Sequence, residues 1–386
     1  MARKKKIKIG FFTDTYTPQI NGVVTSIDTF KKYLEKQGHT VYIFAPTPRQ
    51  KNDTKKIVRF PSIKFLFQPE MRVAFPYSID AVNLLKKIDL DIIHSHDPFS
   101  IGLFGMWVAK RKKIPYVHTY HTLYPEYVHY VWETGFTKDL AKKLSRDFCN
   151  KCSLIVAPST KIKKFLKNWG VSKPIEVVPT GADIKDFSLK KDSLQNFRKK
   201  YKIMPGDKIL IFVGRLGTEK NIKLLIKSLN KITVPNVKLF IAGNGPDKKQ
   251  LEKLIIKEDL EKKVLLPGYL DKKEVVKAYR ASNIFVFSSK TETQGLVIAE
   301  AMTAGLPIVA VNDLAIADVV KNNKNGYLTK SNVKEFASKI DILLKNHKLY
   351  KKMSKNSLSL AREISAEKQT KKLEKIYFKL LKEKSI

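Results

Sequence analysis

Short apolar runs alternate with longer amphipathic stretches along most of this chain. Residues 7–12 and 41–45 have the length and composition of buried strands. Between them, over residues 23–37, apolar side chains recur every three or four positions, which is typical of a helix that packs one face on a sheet. The repeated alternation of strand and helix predicts an α/β protein with doubly wound parallel sheets.

The alternation occurs in two blocks. The first block has predicted strands at 7–12, 41–45, 92–95, 115–119, 153–157 and 175–178, with helices between them. The pattern pauses over 183–207 and resumes with predicted strands at 209–213, 238–242, 264–266, 284–287 and 308–311. We therefore predict a Rossmann-like domain over 1–183, a hinge around 180–205 and a second such domain over 205–365. A last helix, at about 366–386, is expected to pack back onto the first domain.

The charge of the chain bears on its partners. Among 386 residues there are 74 Lys and Arg against 36 Asp and Glu, a formal net charge of +38. The excess is spread along both halves, which disfavours a DNA-binding module with one basic face. It favours contact with an anionic surface or with a substrate that carries phosphates. A general lysine bias of the source proteome is the alternative explanation.

Cysteine content and hydropathy bear on the compartment. Cys149 and Cys152 are the two cysteines, and no further soft ligands near them suggest zinc. They follow a predicted helix, whereas a redox pair opens one, so we interpret them as buried thiols in a reducing compartment. The basic start is too short for a signal peptide, and no run of about 18 apolar residues exists. The sequence predicts a cytoplasmic protein that can associate peripherally with a membrane.

Residues 288–307 carry the clearest candidate chemistry. A predicted strand leads into a polar loop with Glu292, a helix is predicted to begin near Gly295, and Glu300 lies about one turn inside it. Backbone N–H groups at such a helix start, including those of Leu296 and Val297, attract phosphate. Together these features favour a sugar-nucleotide pocket. The spacing alone is equally compatible with a capped core helix and two surface glutamates.

Three other predicted strands of the second block end in glycine-rich loops. Arg215 and Lys220 follow the strand at 209–213, and an arginine and a lysine together suit a diphosphate. Stray pairs of this kind are common in a lysine-rich chain. Because the carboxyl ends of parallel strands meet at one edge of a sheet, these loops are expected to converge with Glu292. Besides Arg215 and Lys220, the residues expected there are Gly214, Gly243, Tyr269 and Leu270.

The first block offers histidines after its strands. His121 lies just past the strand at 115–119 and is the candidate for a functional role, whereas His118 is expected in the core. His96 follows another strand and is a second candidate, and His94 is expected to be buried. Gly22, after Asn21, opens the first helix, where a phosphate could approach the backbone.

A D-x-D pattern, the kind that binds a metal in some glycosyltransferases, occurs at Asp89 and Asp91. It precedes a predicted strand and so lies at the edge of the sheet opposite the candidate site. We interpret both aspartates as turn and cap residues, and no metal ligand is predicted.

The whole set of motifs resembles the GT-B retaining glycosyltransferases of family 4 over nearly the full length. The resemblance rests on Asn21-Gly22-Val-Val, His121-Thr, Gly214-Arg215 with Lys220-Asn, Gly243-x-Gly-Pro, and Glu292-x7-Glu300 followed by Ala-Met-x-x-Gly305-x-Pro307. Within that family, residues 11–26 and 120–130 look most like the diacylglycerol 3-glycosyltransferases. Those enzymes transfer glucose or galactose from a UDP-sugar to diacylglycerol.

The resemblance implies a GT-B fold, two Rossmann-like domains facing a cleft, and a role for each motif. Arg215 and Lys220 would hold the diphosphate and stabilise the departing UDP, and Glu300 would bind the ribose. Glu292 would bind sugar hydroxyls, assisted by backbone N–H groups around Gly295. His121 would contact the sugar and the reacting centre, and Gly22 would lie under the phosphates. Such enzymes need no metal or other cofactor, and we identify no separate nucleophile or base.

The expected acceptor is diacylglycerol on the cytoplasmic face of the membrane. Basic and apolar residues of the first domain are candidates for contact with anionic lipid: Phe65, Phe67, Lys110, Arg111, Lys112, Lys113, Lys142, Lys143 and Arg146. On the helix at 137–152, Leu140, Leu144 and Phe148 share a face, although an ordinary packed helix with solvated lysines would look the same. Another lipid such as a sterol, a soluble sugar and a polysaccharide are alternative acceptors. A nucleic-acid-binding protein is the remote alternative, and the sequence does not separate glucose from galactose.

Overall fold

The structure is a computed structural model that describes residues 5–65, 68–127, 135–187 and 191–384. The chain divides into two compact units, residues 1–180 with 366–386, and residues 181–365. Each unit contains a parallel sheet with helices packed against it.

The strands of the first unit are β1 (Lys8–Phe12), β2 (Thr40–Pro46), β3 (Ile57–Phe60), β4 (Ser62–Phe65), β5 (Gln68–Ala74), β6 (Ile92–Ser95), β7 (Tyr116–Thr119), β8 (Leu154–Ala157) and β9 (Ile175–Val177). Its sheet has the order β3-β2-β1-β6-β7-β8-β9, and β4 and β5 form a separate antiparallel hairpin. The strands of the second unit are β10 (Lys208–Val213), β11 (Val237–Ala242), β12 (Val264–Gly268), β13 (Ile284–Phe287), β14 (Ile308–Val311) and β15 (Gly326–Thr329). They follow the order β12-β11-β10-β13-β14-β15.

The helices up to the unit boundary are α1 (Gly22–Lys36), α2 (Ile79–Lys87), α3 (Ser100–Lys112), α4 (Tyr124–Tyr127), α5 (Gly135–Cys149) and α6 (Thr160–Asn168). Those that follow are α7 (Lys191–Lys200), α8 (Ile222–Leu229), α9 (Lys248–Lys257), α10 (Lys272–Ala281), α11 (Leu296–Thr303), α12 (Leu314–Val319), α13 (Val333–Lys345), α14 (His347–Glu363) and α15 (Ala366–Lys384). Caps fix several of these starts. Asn21, for example, accepts hydrogen bonds from the N–H groups of Val23 and Val24 at the start of α1.

The central strands are buried on both faces, which explains their nearly continuous apolar runs. In the first unit each face of the sheet has its own apolar core. The C-terminal helix α15 completes one of them, since Leu373 and Tyr377 are fully buried there with Phe11. The last helix of the chain therefore belongs to the first unit.

The sequence reading missed some elements. The stretch 183–207, read as a pause, contains a short 3-10 turn and α7, and α7 contacts α10. The hairpin of β4 and β5 and the edge strands β3 and β15 were also missed. All are short or mostly polar, so their apolar periodicity is weak and tertiary contacts decide their conformation.

Candidate functional site

The loops after β10, β11, β12 and β13 lie at the carboxyl edge of the second sheet. Backbone hydrogen bonds join them, because Gly214 N–H donates to Ala242 O at 3.0 Å and Gly243 N–H donates to Gly268 O at 2.9 Å. A Cβ on Gly243 would lie 1.8 Å from the Gly214 carbonyl oxygen, so only glycine fits there. Tyr269, 57% exposed, and the half-buried Leu270 follow β12 at the same edge.

Two cations follow β10 in different environments. The Arg215 side chain is exposed and makes no hydrogen bond or ion pair with any described residue. Lys220 lies at the end of a 3-10 turn, and its ammonium group pairs with the carboxylate of Glu292. Its backbone is fixed as well, since the Ser288 hydroxyl donates to Lys220 O at 2.7 Å. The loops after β10 and β13 are thereby joined by side chains and backbone.

The helix α11 begins at this same edge. Gly295 precedes it with φ 73°, a left-handed conformation that favours glycine. The first turn of a helix presents N–H groups that no helical carbonyl accepts, and these attract anions. Glu300 follows one turn later.

Tyr279 of α10, which sequence reasoning did not select, holds this region together. Its hydroxyl lies 3.1 Å from the Glu300 carboxylate and 3.2 Å from Val297 O. Burial, together with the charge of Glu300, raises the Tyr279 pKa well above its usual value, so the hydroxyl remains a donor. In the sequence, a tyrosine inside an amphipathic helix is interpreted as a core residue. No pattern in the neighbouring residues indicates that its hydroxyl contacts Glu300.

This edge offers two cations, a helix start and two carboxylates. The cations and the amide dipoles suit a diphosphate, and the carboxylates suit hydroxyl groups of a sugar. Across the parts of the chain that the structure describes, no cluster of three or more His, Cys, Asp or Glu is arranged to hold a metal.

In the first unit, His121 follows β7 and is half-buried. One of its ring nitrogens, Nε2, lies 3.0 Å from Nδ1 of His96, which is fully buried. Burial lowers the pKa of His121 and of His118 to about 3, and it lowers the pKa of His94 and His96 well below the usual value. All four rings are therefore neutral near pH 7.

The loop between β1 and α1 rests on two buried acids. Asp97 accepts hydrogen bonds from the Thr13 hydroxyl at 2.8 Å and from Asp14 N–H at 3.0 Å. Asp14 in turn accepts from Ile101 N–H at 3.1 Å, in the first turn of α3. Burial raises the pKa of Asp97 to about 6, and burial with the charge of Asp97 raises that of Asp14 to about 7. The sequence analysis did not identify this pair. Both residues follow predicted strands, and that position could have indicated that they lie at the same edge of the sheet.

Comparison with known proteins places this arrangement in a family. The family model of glycosyltransferase family 4 matches residues 20–186, and that of glycosyl transferases group 1 matches residues 194–359. The alpha-monoglucosyldiacylglycerol synthase of Streptococcus pneumoniae is 34% identical over 83% of this chain and 75% of its own length. The synthase of the same name from Acholeplasma laidlawii is 30% identical over 97% of this chain and 98% of its own.

The chain belongs to glycosyltransferase family 4. The predicted family is confirmed, and so is the predicted fold class. Anabaena HepE in complex with UDP superposes with a TM-score of 0.78 at 18% identity, covering 96% of this chain and 99% of that one. The fold is GT-B, with two Rossmann-like parallel-sheet units.

In this glycosyltransferase the predicted site residues fall into two sets. The set of the second unit lies at one sheet edge: Gly214, Arg215, Lys220, Gly243, Tyr269, Leu270, Glu292, Gly295, Leu296, Val297 and Glu300. Gly22 and His121 lie in the first unit, at the start of α1 and after β7. A Cβ on Gly22 would meet nothing within 4 Å, so open space adjoins it.

The two aspartates of the D-x-D pattern lie outside both sets. Asp91 accepts a hydrogen bond from Lys8 N–H at 2.7 Å, and Asp89 pairs with Lys112 at 3.5 Å. Asp91 thus holds the start of β1, and Asp89 forms a surface ion pair with the end of α3.

The residues considered for membrane contact differ in their surroundings. Phe67 and the side chain of Phe65 lie outside the described residues. The Lys112 ammonium group donates to Leu85 O and Ile88 O at the end of α2, at 2.7 and 3.0 Å. Lys110, Arg111 and Lys113 are exposed. On α5, Lys142 and Arg146 form surface ion pairs with Asp139 and Asp147, while Lys143 has no such pair within the described residues.

Proposed function

We propose that this glycosyltransferase moves glucose or galactose from a UDP-sugar to 1,2-diacylglycerol, with retention at the anomeric carbon, and forms monoglycosyldiacylglycerol at a membrane surface. The observation that carries the proposal is that the loops with Arg215, Lys220 and Glu292 and the start of α11, which carries Glu300, lie at one edge of the second sheet, where Lys220 pairs with Glu292. Two relatives named for synthesis of that glycolipid, aligned over most of the chain, support the acceptor.

Each group at the edge has a role in this proposal. Arg215 binds diphosphate oxygens with its planar fork, and Lys220 adds a compact charge. Fixed cations and the N–H groups of α11 stabilise the negative charge that develops on the departing UDP. In metal-dependent enzymes a bound metal ion has this role. Glu300 accepts from ribose hydroxyls, Glu292 from sugar hydroxyls, and the neutral His121 contacts the sugar. The acceptor attacks from the face that UDP leaves, and the departing phosphate takes the acceptor proton.

A stripe that begins just before α3 and continues along it supports action at a membrane. Phe99, Leu103 and Trp107 recur every four positions and are 47, 51 and 53% exposed, so they point away from the core. The Arg111 guanidinium lies 5.6 Å from the centre of the Trp107 ring. Exposed aromatic residues with adjacent cations are typical of surfaces that enter the interface of an anionic bilayer.

Further exposed apolar residues lie on the hairpin of β4 and β5 and on α5. The hairpin strand β5 contacts α3, and the paired residues Ile63 and Val73 of the hairpin are 58 and 46% exposed. On α5, Leu140 and Leu144 are exposed by 43 and 61%, whereas Phe148 is buried. Within the described residues, no helix is both long and apolar enough to cross a bilayer. From the exposed apolar residues and the cations beside them, we propose peripheral attachment to the cytoplasmic face of the cell membrane.

The decisive experiment supplies UDP-glucose or UDP-galactose with diacylglycerol in anionic vesicles, and identifies the product and its linkage. Formation of an α-linked monoglycosyldiacylglycerol in the presence of a chelator is expected. Transfer to a soluble sugar alone would reject the acceptor, and complete loss on chelation would reject the metal-free mechanism.

Vesicle flotation separates the membrane proposal from a soluble-acceptor enzyme. We expect the wild-type protein to float with anionic vesicles, and the Leu103→Ala/Trp107→Ala variant to remain at the bottom while still binding UDP. Ile256→Ala removes a side chain that is 61% exposed on α9, and it serves as the matched control.

A further inference from the structure

The ring of His96 is held on several sides inside the first unit. It is 0% exposed and stacks on His94, with ring centres 4.6 Å apart, and it meets His121 edge to edge, with ring planes 22° apart and ring centres at 5.3 Å. The edge of Phe11 packs against it at 4.8 Å. Its Nδ1 lies 3.0 Å from Nε2 of His121, while its Nε2 is buried and has no hydrogen-bond partner among the described residues.

This geometry selects one tautomer of each ring. A neutral imidazole has one donor and one acceptor nitrogen, so one member of the pair must donate. If His121 donated, His96 would carry its hydrogen on Nε2, as a buried N–H without an acceptor. If His96 donates, its unpaired nitrogen is a bare acceptor, and native structures tolerate unpaired acceptors better than unpaired N–H groups. His96 Nδ1–H therefore donates to His121 Nε2, and the hydrogen of His121 lies on Nδ1.

We propose that His96 is a positioning residue that holds His121 as its Nδ1–H tautomer and so makes it a hydrogen-bond donor to an oxygen of the bound sugar nucleotide. The second half of this inference rests on the proposed function. His121 would then donate to a hydroxyl or phosphate oxygen and would not remove a proton from the acceptor. Because burial lowers the pKa of both rings, no second proton changes this assignment near neutral pH.

His94, on the other side of the His96 ring, is held in place as well. Nδ1 of His94 lies 2.5 Å from the Tyr377 hydroxyl of α15, and its Nε2 lies 2.6 Å from the Thr119 hydroxyl. His94 cannot turn without breaking one of these contacts, so it supports the ring plane of His96. The C-terminal helix thereby contributes to the orientation of His121.

The tautomer can be measured directly, without an activity assay. The chain has seven histidines, so selective ¹⁵N-histidine labelling gives few signals, and loss of a signal in His121→Gln assigns it. Long-range ¹⁵N–¹H correlation spectra distinguish protonated from bare ring nitrogens. We expect a protonated Nδ1 and a bare Nε2 on His121 from pH 6 to 8. A protonated Nε2 in the wild-type protein would overturn the inference, whatever any variant does.

Variants of His96 then test the positioning role. His96→Asn places an amide near the position of Nδ1 and should retain the tautomer, whereas His96→Leu should give a mixture of tautomers. For His96→Leu we expect kcat to fall about 10²-fold, as for other mispositioned reacting groups, with His96→Asn restoring most of it. His118→Asn is the control, since the His118 ring is buried nearby but pairs with the Ser95 hydroxyl at 2.8 Å.

The outcomes separate this inference from the proposed function. A His121 signal unchanged in His96→Leu would show that His96 does not set the tautomer. A changed tautomer with undiminished transfer would overturn the role of the His121 hydrogen in the reaction. An equal loss of kcat in His118→Asn would show that His96 has only a structural role.

Discussion

Lys220 and Glu292 form an ion pair between the loops after β10 and β13, although 72 positions separate them in the chain. Both side chains are largely buried, at 18 and 13% exposure. The Glu292 carboxylate therefore neutralises the cation that the proposed function assigns to the diphosphate. A diphosphate bound by Lys220 would compete with Glu292 for the ammonium group, so substitutions of the two residues are expected to have different effects.

The Glu292→Gln variant should bind UDP more tightly and transfer sugar more slowly. Removing the carboxylate charge releases the Lys220 ammonium for phosphate, which we expect to strengthen UDP binding about fivefold, or ~1 kcal/mol. Transfer should fall by about 10²-fold or more, because a neutral amide replaces the charged carboxylate that accepts from the sugar hydroxyls. Calorimetry with UDP and initial rates measure the two effects. Glu261→Gln, at an exposed position, is the control, and weaker UDP binding by Glu292→Gln would contradict the competition.

The Arg215→Ala variant should lose UDP affinity without losing stability. The side chain is exposed, so its removal leaves no buried group unpaired. A charge-assisted hydrogen bond contributes about 1.5–3 kcal/mol, so the Kd for UDP should rise by roughly 10- to 100-fold. Arg280→Ala removes another exposed arginine in the same unit. Equal losses in both variants would indicate general electrostatic attraction instead of a specific contact.

The Tyr279→Phe variant tests whether Glu300 must be held in place. The change removes the hydroxyl contacts to Glu300 and Val297 O while it keeps the buried ring. We expect the second unit to lose about 1 kcal/mol of stability and UDP affinity to fall several-fold. Tyr327→Phe is the control, because the Tyr327 hydroxyl makes no hydrogen bond within the described residues. An unchanged UDP affinity in Tyr279→Phe would contradict the proposed role of Glu300 in binding the nucleotide.

The Glu374→Ala variant should destabilise the first unit. Glu374 of α15 lies 3.0 Å from His39 Nε2, and His39 Nδ1 accepts from Ile7 N–H, so the buried ring links α15 to the residue that precedes β1. Losing the carboxylate leaves a buried N–H unpaired, at a cost of about 2–3 kcal/mol. Urea unfolding followed by tryptophan fluorescence reports this unit, since Trp107, Trp132 and Trp169 all belong to it. Glu383→Ala, at the exposed end of α15, should cost at most about 0.5 kcal/mol.

The Asp14→Asn variant should change how stability depends on pH. The Asp14 pKa rises from 3.8 to about 7 on folding, so between these values the folded state holds a proton that the unfolded state has lost. This contribution is complete below about pH 4 and is lost as the pH rises through 7. Asp14→Asn removes the loss, so the variant should gain stability relative to wild type as the pH is raised from 4 to 8.

The comparison between the two proteins isolates this effect. The buried histidines act in the opposite direction, since their lowered pKa values give stability above pH 6.5 that is lost in acid. They are present in both proteins and cancel in the difference. Urea midpoints at pH 5, 6, 7 and 8, with Asp139→Asn at a 78% exposed position as control, give the measurement. A constant difference between the two proteins would contradict the raised pKa.

The sequence by itself determined the central strands of both units and most of the helices between them, the family, and the loops that carry chemistry. These are local properties, because each depends only on residues that are close in the sequence. Examples are apolar periodicity, a glycine after a strand, and glutamates on either side of a helix start. Gly243 is an example. The sequence has a glycine directly after the predicted strand β11, which indicates a close approach of the backbone there. In the structure the Gly214 carbonyl oxygen leaves no room for a Cβ at this position.

Only the tertiary structure decided the partners. The contacts of Lys220 with Glu292, of Tyr279 with Glu300 and of His96 with His121 each join residues from different elements. Strand order and burial bring them together, and no local pattern encodes either. The low pKa values of the histidines and the high ones of Asp14 and Asp97 have the same origin, since desolvation exists only once the chain has packed around them.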